Sequence, residues 1–340
     1  MESASDTFAL AAMHISGKET AITMKPSLLR SGVLRVLLAG VFLFAGPAAR
    51  ANLTIQFDYS LDTSGFFSGD NIARRALLDH AAVVFTSRIT DSLDAIAPGG
   101  GNTWTAVTFN PANTGVNVEF TDLVVALNTL IVYVGASDLP GSTLGLGGPG
   151  GFGVSGTQGF VDTVIGRGQA GALAAEGART DFAPWGGSLA FDSLANWSFD
   201  SDPTTVESFT GQNDFFSVAV HELAHLFGLG TAGSWDDQIS GGAFTGANSV
   251  LANGGNVTLD GGLAHWANGT MSTLVGTLSA QEAAMDPSLT TGTRKFFTTL
   301  DFAGLDDIGW QLSAIPEPSA LAWAAVAGTL GMAWRRSRRA

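Results

Sequence analysis

One eight-residue stretch, His221-Glu222-Leu223-Ala224-His225-Leu226-Phe227-Gly228, constrains this chain more than any other. Histidines four positions apart share one face of an α-helix. Both imidazoles then reach a single zinc ion, and Glu222 projects beside the coordination position that such a site leaves open. The fold must therefore supply a helix here and hold it rigidly. The flanking sequence agrees. Asn213 or Asp214 can cap the helix, Phe216, Val220, Leu223 and Phe227 recur at helical spacing, and Gly228 lets the chain leave sharply.

A catalytic zinc takes three protein ligands and keeps a fourth position for water, so one ligand must come from elsewhere. Cysteine is absent, which excludes thiolate ligands, disulfides, cysteine catalysis and cysteine-switch latency. Beyond residue 51 the histidines are His80, His221, His225 and His265. Thr231, three residues after Gly228, is a poor zinc ligand. Two candidates remain. His265 lies in Gly262-Leu263-Ala264-His265-Trp266, and it also reads as a surface histidine beside a core tryptophan. Glu282 and Asp286 have the E-x-x-x-D spacing of gluzincins such as thermolysin, where both acids sit on a helix. Pro287 and Gly292 leave little room for one here. His80, among alanine and valine, reads as a structural histidine.

The order of helix motif, insertion, His265-Trp266 and then Glu282-Ala283-Ala284-Met285-Asp286-Pro287 resembles the leishmanolysin-type metzincins. That family inserts a segment between the glycine and the third histidine, often in a His-Trp pair, and follows it with a Met-turn. The resemblance covers residues 221–287. It implies a zinc metalloendopeptidase, a hydrolase acting on a protein or peptide. Zn2+ would be held by His221, His225 and His265, with Glu222 as general base and Met285 in the Met-turn. Met285 also reads as an ordinary core methionine. The family's substrate lies along an edge strand. Residues 187–192, with Ser188, Leu189 and Ala190 at their centre, are the candidate edge by position before the motif helix. The competing function is a non-catalytic, zinc-containing matrix or binding protein. A structural zinc needs four ligands and no general base, so Glu222 argues for catalysis.

The expected fold class is α+β: a mixed twisted sheet, a long first helix, the motif helix and a smaller irregular C-terminal subdomain. The metallopeptidase domain is expected over residues 52–314. The 44 glycines and an apolar share of 45% suit a loop-rich body with a sizeable core. Strands are expected at 53–59, 105–109, 116–120, 123–134 and 187–192, and helices at 73–96, capped by Asp70 or Asn71, and at 162–176. Residues 139–159 read as a glycine-rich surface loop. Gly145-Leu146-Gly147-Gly148-Pro149-Gly150 matches G-x-G-x-x-G in form, but no helix follows and Pro149 stiffens it, so a dinucleotide site is not expected. Residues 298–310 look like a closing helix.

Both ends read as address labels. Lys25, Arg30 and Arg35 precede an apolar run from Val36 to Ala45, and Ala49-Arg50-Ala51 gives an A-x-A cleavage site, so residues 1–51 read as an extension and signal peptide. Residues 315–340 carry Pro316-Glu317-Pro318, an apolar run from Ala320 to Trp334, and a terminal arginine cluster. That order resembles the PEP-CTERM sorting tail of Gram-negative bacteria. It implies an exosortase-type processing enzyme, transient membrane association and release to the cell envelope or medium. Between the two labels, 7 Lys and Arg stand against 26 Asp and Glu, a net charge of −19. Such a body repels nucleic acid and anionic lipid. Ca2+ is a second ion it can hold, although no segment has EF-hand spacing.

Overall fold

A computed structural model describes residues 53–205 and 208–313. In chain order its principal elements are β1 (Thr54–Asp58), α1 (Arg74–Thr86), β2 (Thr103–Asn110), β3 (Asn113–Thr121), β4 (Thr129–Ser137), β5 (Gly145–Pro149), β6 (Gly151–Ser155), α2 (Gln158–Gly166), β7 (Gly186–Asp192) and α3 (Phe215–Leu226). Short strands, short helices and a closing helix (Thr299–Asp307) follow. The class is α+β, as expected.

The main sheet runs in the order β1-β4-β7-β5. β1, β4 and β7 are parallel, and β5 runs antiparallel to β7. A second, antiparallel sheet has the order β3-β2-β6. The sequence of β4 explains the layering. Its side chains alternate between faces, yet residues 129–136 are all buried. Leu130, Val132, Val134 and Ala136 join the core shared with α1 and α3. Ile131 and Tyr133 face the second sheet, where they join Trp104 and Ala106, and Tyr133 stacks on Phe120 with ring centroids 4.3 Å apart. On the other side Phe85 of α1 stacks on Phe227 at 4.7 Å. The motif helix is thus held between α1 and the main sheet.

Several sequence expectations are corrected. The first helix ends at Thr86, not 96, and no side-chain cap holds its start; Asp70 and Asn71 lie in a preceding 3-10 turn. Ile89, Leu93 and Ile96 remain buried, but in extended chain. Ile89 bridges to Leu312 and Ile96 to Val125. Distant partners thus reproduce a helical spacing of apolar residues by accident. The buried strand begins at Thr129, after a turn in which Asn128 takes φ 54°. α2 begins earlier than expected, capped by Thr157, and stops at Arg167 with φ 45°. That arginine is buried and donates to the carbonyls of Asp94, Ala126, Thr129 and Pro184.

The glycine-rich stretch is not a surface loop. It forms β5 and β6, which close one edge of each sheet. Among the described residues no helix is long and apolar enough to cross a membrane. The signal peptide and the sorting tail lie outside the described residues.

A buried ion pair fixes the start of α3. Asp214 caps the helix by accepting from the Ser217 N–H and hydroxyl. Arg294 donates to both oxygens of the same carboxylate, at 2.9 and 2.7 Å, and to Asp200 at 2.8 Å. Both side chains of the Arg294–Asp214 pair are fully buried. Removing one partner would strand the other charge in the core. Arg294→Met should therefore destabilise the protein by about 3–5 kcal/mol, measured as a shift in the urea unfolding midpoint with an unchanged slope.

Candidate metal centre

His221, His225 and His265 converge. One nitrogen from each ring lies within 4.8 Å of the others. The Nε2 atoms of His225 and His265 are 3.0 Å apart. Two helical turns supply the first two histidines; the loop before Trp266 supplies the third. Trp266 is fully buried against Trp235 and Phe244 and anchors that loop in the core.

Each ring is oriented through its other nitrogen. His221 Nδ1 lies 2.7 Å from the Ala284 carbonyl, and His225 Nδ1 lies 2.8 Å from the Leu229 carbonyl. His265 Nδ1 lies 3.2 Å from an Asp260 carboxylate oxygen. Oxygens of this kind only accept, so the network assigns the proton to every Nδ1. The Nε2 atoms are then the nitrogens that face one another, and those of His225 and His265 lie within hydrogen-bonding distance. Burial, then the neighbouring His265, pushes His221 down to about 4. Burial and the two other imidazoles hold His225 well below the ordinary histidine range. Both rings are neutral near pH 7. Neutral imidazoles with converging lone pairs and hydrogen-bonded far nitrogens are the donor set a divalent transition ion takes. Tetrahedral zinc, with Zn–N bonds of about 2.0–2.1 Å, sets ligand nitrogens about 3.3 Å apart, near the 3.0 Å between His225 and His265 Nε2. The triad can bind a metal ion.

Glu222 and the rings line a cleft of about 650 Å3. Burial pushes the Glu222 carboxyl up to about 8, against a backbone hydrogen bond from Gly147 that favours the charged form. A divalent cation beside it would pull it back down. The opposite wall is β5. A Cβ on Gly145 would sit 2.5 Å from Glu222 Oε1, and one on Gly147 would overlap the Glu222 carbonyl. Only glycine permits this approach of strand to helix. Thr231 also lines the cleft but donates to the His225 carbonyl at 2.6 Å.

The candidate edge strand is corrected. β7 pairs with β4 on one side and β5 on the other, so Ser188, Leu189 and Ala190 are wholly buried and offer no free edge. β5 ends the sheet and lines the cleft with Gly145, Leu146 and Gly147. Glu282 lies in a hairpin strand (Ala280–Glu282), not on a helix, and pairs with Lys295 at 3.0 Å. It does not join the histidines. Met285 is fully buried, one residue after the carbonyl that orients His221. His80 is exposed on α1, away from the triad.

Sequence reasoning missed two aspartates and two glycines. Asp260 precedes Gly261-Gly262, a turn signal that marks it. Asp301 follows Thr298 in a reciprocal cap and is fully buried. It accepts from the N–H groups of Ala284 and Met285 and from the Trp266 indole. The T-x-x-D spacing was visible; its reach to the turn under His221 was not. Compared with models of known families, with curated proteins and with solved structures, the chain matches none.

The geometry separates the two candidate third ligands. His265→Ala should lose the ion from the purified protein, whereas Glu282→Ala should retain it, as read by metal analysis after dialysis. The reverse result would remove His265 from the site.

Proposed function

We propose that the chain is an exported zinc-dependent endopeptidase with a metzincin-like domain over residues 52–314. The observation that carries this reading is the convergence of three imidazoles beside a glutamate in an open cleft. Three nitrogen ligands with one open side suit a catalytic zinc, not a structural one. That favours a peptidase over a non-catalytic zinc-containing matrix protein. When bound, zinc supplies a Lewis acid that activates water near neutral pH and polarises the substrate carbonyl.

The chain's own residues supply the remainder. His221, His225 and His265 hold the ion. Glu222 takes the proton of the attacking water and passes it to the leaving amine. β5, the last strand of the sheet, receives an extended peptide by backbone pairing along the cleft. Burial of Glu222 against Gly145 and Gly147 keeps its carboxylate in one place between attack and departure. We further propose that the signal peptide directs export through the inner membrane of a Gram-negative cell. An exosortase-type enzyme then removes residues 315–340, so membrane association is transient.

Glu222→Gln should abolish hydrolysis of an unfolded protein substrate while the zinc content stays at the wild-type level. The loss should be about 10²-fold or more, the scale of a general base. A zinc-loaded variant with near-normal turnover would overturn the mechanism.

A further inference from the structure

The first two histidines need little help to find their places. They ride on a helix that is buried almost throughout, and backbone carbonyls fix their rings. His265 is different. It sits on a loop, its side chain is 22% exposed, and only a carboxylate, Asp260, meets its Nδ1. The loop between them is tightly wound. Asp260 Oδ1 accepts from the N–H groups of Ala264 at 3.1 Å and His265 at 3.3 Å. The Asp260 N–H donates to the His265 carbonyl at 3.0 Å, and the Leu263 N–H donates to the Asp260 carbonyl at 3.1 Å. Closing this turn puts Leu263 at φ 61°, a conformation that branched residues rarely adopt. Gly230 presses on the Ala264 carbonyl so closely that a Cβ there would overlap it.

We propose that Asp260 is the positioning residue of the third ligand: one carboxylate winds the 260–265 turn through Oδ1 and sets the His265 ring through Oδ2. The inference rests on the zinc-site reading and goes beyond it. The two oxygens do separable work. Oδ1 shapes the backbone. Oδ2 accepts a hydrogen bond from the Nδ1–H and so leaves Nε2 as the nitrogen that faces His225. An acceptor at this place also raises the basicity of the ligand nitrogen. Without it the ring of a partly exposed histidine is free to turn, or to carry its proton on the nitrogen that should bind.

Asp260→Asn separates the two roles. The carboxamide oxygen still accepts from Ala264 and His265, but its NH2 group now opposes the Nδ1 proton. Two readings on this variant decide the matter: the zinc dissociation constant, by competition with a chelator, and the melting temperature of the metal-free protein. The expected result is zinc binding weakened about 10–100-fold with an unchanged metal-free melting temperature. Wild-type affinity in the variant would overturn the proposal. So would an affinity loss matched by a fall in metal-free stability, because that is what a merely structural residue gives. A third reading needs no variant. The 15N shifts of the zinc-loaded wild-type protein should place the His265 proton on Nδ1; a proton on Nε2 would overturn the assignment. Hydrolysis is scored separately. A protein that binds zinc through this triad and cleaves nothing defeats the peptidase reading and leaves Asp260 in its role. Normal zinc affinity in Asp260→Asn does the opposite.

Discussion

The structure depends on the burial of α3. Every residue from Phe215 to Leu226 except His221 is buried. A helix covered on all sides must satisfy each polar side chain internally, because an unpaired buried donor or acceptor costs about 1–3 kcal/mol. Ser217 is held by Asp214 and itself accepts from the Lys295 N–H. The imidazole Nδ1 atoms find carbonyls at Ala284 and Leu229. Among the groups of α3 that line the cleft, His225 Nε2 meets His265 Nε2 at 3.0 Å and the Glu222 carboxyl meets the Gly147 N–H. The burial that stabilises the helix therefore also selects what stays reactive.

The same burial explains the glycines of β5. Strand and helix backbones come close enough that side chains at Gly145 and Gly147 would displace Glu222. Glycine in a strand interior ordinarily weakens it. Here it lets the edge strand of the sheet run along the helix that carries Glu222. The wall of the cleft and the orientation of Glu222 are thus one packing solution. Asp301 performs the matching task below, tying the turn at Ala284 and Met285 and the Trp266 indole to one buried carboxylate.

Local sequence revealed α3, its cap, the histidine pair His221 and His225 and the α+β class, because each rests on short-range spacing or on residue chemistry; the third histidine was one of two candidates until the structure brought it to the pair. Other features depend on partners far along the chain. Residues 89–96 keep a helix-like apolar spacing because Leu312 and Val125 cover them. The glycine-rich stretch reads as a loop until α3 is placed against it. The edge of the sheet is a matter of strand order, and the residues of β7 look the same whether the strand is central or outermost. Asp260 and Asp301 announce themselves only as turn and cap residues; what they hold becomes visible in three dimensions.

The donor set also bears on stability. Burial keeps His221 and His225 from accepting protons at neutral pH. The folded pKa of His221 lies below the unfolded value of about 6.5, so the unfolded chain binds more protons as pH falls. Stability attached to that ring is therefore fully present above about 6.5 and declines as pH drops toward about 4. Protonation of the unfolded chain weakens fold and site together. A cation that binds only the folded arrangement acts in the opposite sense, stabilising it in proportion to its affinity. Such a cation would act on the chain from Gly228 to Met285, where His265 lies among short helices and strands of two or three residues rather than on a long element of its own.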